Sequence, residues 1–84
     1  MDQINFKFYL QKKYNKKIAS DNVCRCKKIE YIIKVDLDEI NETNIDVYIN
    51  KIKKCNSLTS KNNKYLYNNY IYSLRKYVAY KKLF

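Results

Sequence analysis

Asn68-Asn69-Tyr70-Ile71-Tyr72-Ser73-Leu74-Arg75-Lys76-Tyr77-Val78-Ala79-Tyr80 carries the clearest periodic signal in the chain. Tyr70, Ser73, Leu74, Tyr77 and Val78 or Lys81 recur at three- and four-residue steps, with Leu66 one turn earlier. That spacing draws a single stripe along a helix running from about Lys61 to Lys82. Ser73 is small for its place in the stripe. It marks either a close approach of another helix or a hydroxyl bonded back to its own helix. Tyr65, Tyr67 and Tyr72 fall off the stripe.

Upstream, Asn56 to Asn62 reads as a loop with Leu58 as a buried peg, and Thr59 or Ser60 can cap the last helix. Before that loop, Ile45, Tyr48, Ile49, Ile52 and Cys55 share one side of a helix over about 44–55, opened by the caps Asn41 to Asn44. Lys34-Val35-Asp36-Leu37-Asp38 breaks the period and reads as a connection anchored by Leu37. Val23, Cys26, Ile29 and Ile33 mark a helix over about 21–34, preceded by three good cap residues, Ser20-Asp21-Asn22. The first helix spans about 2–14, with Phe6, Leu10 and Tyr14 stacked, Tyr9 beside them, and Asn15-Lys16-Lys17 interrupting it. The fold expected is all-α: one compact four-helix bundle over residues 1–84.

Composition agrees. The 84 residues contain no Gly and no Pro, which disfavours tight hairpins and leaves Asn, Asp and Ser to make the turns. No apolar run approaches the roughly 18 residues of a membrane span, and the charged N-terminus lacks a signal-peptide core, so a soluble, cytoplasmic protein is expected. Cys24, Cys26 and Cys55 are odd in number and no His accompanies them. On a helix, Cys24 and Cys26 point about 200° apart, a poor metal clip, so they read as small apolar residues and no metal or other cofactor is expected.

The net charge is +10, and Lys, Asn, Ile and Tyr supply 47 residues, the signature of an AT-rich genome in which Lys accumulates by drift. Drift does not explain how the charges are sorted. Residues 1–35 carry nine basic and three acidic side chains, residues 36–46 five acidic and none basic, and residues 47–84 nine basic and none acidic. A basic face and one acidic corner should result.

The ordered set of signals has a precedent. Phe8-Tyr9-Leu10 is followed by Ser20-Asp21-Asn22-Val23 opening a basic helix that ends in Ile29-Glu30. Asp36-Leu37-Asp38-Glu39-Ile40 leads into Thr43-Asn44-Ile45-Asp46-Val47-Tyr48-Ile49, and Ser60 precedes the Asn68 to Tyr80 helix. Across nearly the whole chain this resembles the core-binding (SAM-like) N-terminal domain of phage-type tyrosine recombinases, the integrases of mobile elements. The resemblance implies a four-helix SAM-like bundle that clamps duplex DNA during DNA recombination while a separate domain does the chemistry. The helix opening at Ser20 to Asn22 and Arg75 are the positions it maps here. With no His, the recombinase's Arg, His and Tyr set cannot be assembled, so no enzyme activity is expected.

Phosphate recognition needs cations and donors at helix mouths. The second helix offers Ser20, Asn22, Arg25 and Lys28; the last offers Lys61, Asn63, Lys64, Asn68 and Arg75. Lys12, Lys13, Lys16 and Lys17 add a basic flank. The simpler reading of any one Lys is a solvated face, and of Ser20 a cap, ahead of ligand contact. Arg25 and Arg75 stand out because drift favours Lys and only Arg offers a planar fork. Exposed Tyr beside Lys can stack on single-stranded bases or simply pack on a Lys stem. The expected partner is duplex DNA, with no membrane and no small-molecule ligand. The alternative is a protein partner: a phage-borne inhibitor of the anti-CRISPR kind, docking on a nuclease or recombinase component through the acidic corner Asp36 to Asp46 or the exposed Tyr set.

Overall fold

The computed structural model describes residues 1–55 and 66–83. These residues form helices α1 (Gln3–Lys13), α2 (Lys16–Ile33), α3 (Ile45–Lys54) and α4 (Leu66–Lys82), with a 3-10 turn at Leu37–Glu39 between α2 and α3. No strand occurs among the described residues, and the all-α bundle expected from the periodicity is what forms. Leu58, Thr59, Ser60 and Tyr65 lie outside the described residues, as do the side chains of Leu66 and Tyr67.

Asp2 caps α1 by accepting from the Asn5 N–H at 3.4 Å. The helix buries Phe6 and Leu10 completely. Tyr14 does not continue that stripe. It is the C-terminal cap residue, with φ −124° and ψ −101°, so its side chain leaves the core face and is 42% exposed.

The start of α2 is a correction. Helix α2 opens at Lys16, not at Asp21, because Asn15 adopts an extended backbone and its side chain accepts from the Ile18 N–H at 2.8 Å. Asn is as good a cap as Ser or Asp, and one suffices. Ser20, Asp21 and Asn22 therefore lie inside the helix. Helices α1 and α2 form an antiparallel hairpin with a two-residue link, which returns Glu30 to the start of α1, 3.3 Å from the Met1 amine. At its far end α2 stops on Lys34, whose φ of 60° and ψ of 49° are left-handed.

Leu37 is fully buried, as expected of an anchor, and its N–H donates to Glu30 Oε2 at 3.0 Å. Asn41 and Asn44 tie the next turn reciprocally: Asn41 N–H donates to Asn44 Oδ1 and Asn44 N–H to Asn41 Oδ1, at 2.8 and 3.2 Å. Helix α3 then buries Ile45, Ile49 and Ile52, with Tyr48 and Cys55 half-buried beside them, the stripe read from the sequence.

Helix α4 packs against the other three. It buries Tyr70, Ile71, Leu74, Tyr77, Val78 and Tyr80. Both readings of Ser73 hold. Its carbonyl accepts from the Cys26 thiol at 3.5 Å, so α2 and α4 approach closely there. Its hydroxyl lies 2.7 Å from Asn22 Oδ1 and 3.0 Å from the Asn69 carbonyl, two acceptors for one proton. Asn22 completes the arrangement by donating to the Ile18 carbonyl at 2.8 Å. A buried amide unpaired in an apolar seam would cost about 1–3 kcal/mol, and here it is satisfied.

Candidate nucleic-acid interface

The placement of the sequence-derived residues is uneven. Asn22 is 2% exposed and spent on Ser73 and Ile18, so it is withdrawn as a ligand contact. Ser20, half-buried, is the fifth residue of α2 and opens no helix. Arg25 is half-buried beside Cys26, whose thiol is pushed up to about 12 by burial and the nearby Glu30, against the pull of Arg25 and Lys76. Lys28 is exposed, with its ammonium 5.8 Å from the Tyr70 ring centroid. Asn68 is half-buried in the first described turn of α4, and Arg75 is exposed. Lys61, Asn63 and Lys64 lie outside the described residues.

Around Arg75 the fold assembles a site that the sequence only partly indicates. The outer ridge of α4 carries Tyr72, Arg75 and Lys76 alongside the C-terminal end of α1, and a groove of about 240 Å³ runs between them, lined also by Tyr9, Lys13 and Tyr14. The Lys13 ammonium lies 5.7 Å from the Tyr9 ring centroid and 5.8 Å from that of Tyr14, and it donates to the Tyr9 hydroxyl at 3.4 Å. That hydroxyl holds the Lys13 pKa above its usual value. Lys76 approaches Tyr14 at 5.4 Å. The Tyr9 ring in turn packs 5.2 Å from Tyr80, which ties the row to the core.

No carboxylate is among the groove's described lining residues. Exposed lysines also surround the α1–α2 link in sequence: Lys12 lies in the last turn of α1, where it lines a separate groove with Asp2, and Lys16 and Lys17 open α2. On the other flank of Arg75 the electrostatics change, since Glu42 and Asp46 line a second groove with Arg75 and Lys82. Arg75 thus stands on a ridge between a basic and a mixed surface. Neither groove that it lines includes Arg25. The two arginines named from the sequence do not converge on one groove.

The acidic corner is largely engaged within the molecule. The Met1 amine lies 3.4 Å from both Asp36 and Asp38, Lys81 bonds Asp38 at 2.9 Å, and Lys82 pairs with Glu42. The Tyr77 hydroxyl donates to Asp38 Oδ1 and accepts from the Asp2 N–H. Burial and the Asp38 carboxylate raise the Tyr77 pKa.

Among the described residues, no cluster of His, Cys, Asp and Glu is placed to hold a metal ion, and no helix is long and apolar enough to cross a membrane. The cysteines range from exposed Cys24 through half-buried Cys55 to buried Cys26. Tyr14 and Lys76 are the site residues that sequence reasoning missed. Lys76 had a signal, being adjacent to Arg75 and off the buried stripe; Tyr14 had none, since its stacked spacing pointed to the core. No family model matches the chain, and neither a curated protein nor a solved structure matches it.

Proposed function

We propose that this domain binds nucleic acid without catalysis, holding the backbone of duplex DNA as the core-binding domain of an integrase does. The observation that carries the proposal is the gathering of Lys13, Arg75 and Lys76 in one carboxylate-free groove interleaved with Tyr14 and Tyr72. Cations from two helices converging on a concave strip suit a row of phosphates, and aromatic rings between them keep the surface partly dry. Helix stability alone does not explain the lysines around the α1–α2 link. Lys12 and Lys13 favour the C-terminal dipole of α1, but Lys16 and Lys17 sit at the positive end of α2, where cations are disfavoured unless an anion arrives. The alternative, a protein partner met through the acidic corner, is less favoured at Asp38 and Glu42, which already pair with Lys81 and Lys82 within the molecule.

The test is binding to random-sequence duplex, single strand and RNA at several salt concentrations. Contact with about four phosphates gives a log–log salt slope near −3.6, on the order of 100-fold weaker binding between 50 and 200 mM salt. Arg75→Ala and Lys76→Ala should each flatten that slope by about 0.9 without unfolding the chain, since Arg75 is exposed and Lys76 is only half-buried. Salt-independent binding, or equal slopes in both variants and the parent, would overturn the proposal.

A further inference from the structure

Tyr14 differs from the more exposed Tyr31 and Tyr72 in what surrounds its ring. It is 42% exposed, outside both flanking helices, and two ammonium groups from different helices approach its ring, Lys13 at 5.8 Å and Lys76 at 5.4 Å. Like charges in water separate unless something holds them, and an aromatic face attracts each ammonium through its quadrupole. Lysine is also among the side chains with most rotamer freedom to lose on binding. The row Tyr9, Lys13, Tyr14, Lys76 alternates ring and cation, and Tyr9 is braced on Tyr80.

Resting on the nucleic-acid reading above, we infer that Tyr14 is the positioning residue of a phosphodiester clamp, its ring holding the ammonium groups of Lys13 and Lys76 ready to take phosphates of one strand. Tyr14 makes no contact with the phosphate itself. Its work is done before binding, when it restricts two long side chains that would otherwise have to be ordered by the ligand. The ligand class follows: a polyanion with repeated phosphates, engaged through charge rather than through base edges.

A cation and its positioner leave different marks on salt dependence. Removing Lys13 or Lys76 with an Ala substitution removes a phosphate contact, so the slope against log salt flattens by about 0.9 for each. Tyr14→Leu leaves both cations in place. It should weaken random-duplex binding about five-fold at every salt concentration, with the slope unchanged, and Tyr14→Phe, which keeps the ring, should restore parental affinity. Parental affinity in Tyr14→Leu, a slope that flattens in it, or a Tyr14→Phe variant as weak as Tyr14→Leu would each overturn the clamp. The two readings fail separately: effects of Lys13→Ala and Lys76→Ala with none of Tyr14→Leu sink only the clamp, whereas no effect of either lysine sinks the nucleic-acid reading of this groove. Thermal melts of all four variants show that they are folded, which the exposure of Tyr14 leads us to expect.

Discussion

Asp38 shows how single residues divide the labour in this chain. Its carboxyl is held down to about 2, first by the Tyr77 hydroxyl and then by Lys81 and the Met1 amine, against the opposing effect of burial. A folded pKa below the unfolded one stabilises the protein above the unfolded value of about 3.8 and is lost as pH falls through about 2. Because the side chain is 41% exposed, solvent screening trims the contribution to about 1 kcal/mol. Asp38→Asn should therefore lower stability near neutral pH and make the stability curve flatter between pH 4 and pH 2; denaturant titrations across that range would show it. Arg75 was legible in the sequence as a surface cation, because it is an Arg in a chain where drift supplies Lys. Asn22 was misread, since an Asn in a run of cap residues looks the same whether it caps a helix or serves a hydroxyl 51 residues away.

Among the elements, the stripe of α3 was plain from spacing, because it buries one narrow face; that of α4 was legible only in part, since the helix also buries Ile71 and Tyr80 on either side of the expected stripe and leaves Lys81 exposed. Helix α1 is harder: Ile4 and Phe8 are exposed opposite Phe6 and Leu10, so apolar residues lie on both sides and the pattern loses contrast. The N-terminus of α2 was hidden for a local reason. Ser20-Asp21-Asn22 outweighs the single Asn15 as a signal, and it takes the Asn15 bond to the Ile18 N–H, with Ala19 and Asn22 buried inside the helix, to show that the earlier cap is used. The C-terminus of α2 carries a testable cost. Lys34 sits in the left-handed region where Gly is at ease, and Lys34→Gly should raise the unfolding free energy by about 0.5–1 kcal/mol, as measured by denaturant melts. A loss of stability would mean that the Lys34 side chain contributes more than its backbone costs.

Over the whole molecule, the fold gathers one acidic and one basic cluster, while exposed lysines also stand elsewhere on α1, α2 and α3, among them Lys7, Lys27, Lys28, Lys51, Lys53 and Lys54. The α1–α2 hairpin puts the Met1 amine, Glu30, Asp36 and Asp38 at one end and Lys12, Lys13, Lys16 and Lys17 at the other, about 16 Å away along the eleven residues of α1. The acidic end draws in Lys81 and Lys82 from the end of α4, which leaves the opposite end of the hairpin cationic. Charge segregation along the chain led to the expectation of a basic face and an acidic corner; Asp36 and Asp38 do meet at the Met1 amine, whereas the lysines are distributed over several helices. It did not foretell the members of the groove, because Lys13, Tyr14 and Lys76 meet only through the packing of α4 on α1, a long-range event that no local spacing encodes.

The most direct measurement is an amide-resolved NMR titration of the protein with a short random duplex. Perturbations should concentrate at Lys13, Tyr14, Tyr72, Arg75 and Lys76 and at Lys16 and Lys17, and should shrink on adding salt. Shifts centred on Asp36 to Asp46, or spread evenly around the molecule, would contradict a phosphate-binding groove between α1 and α4.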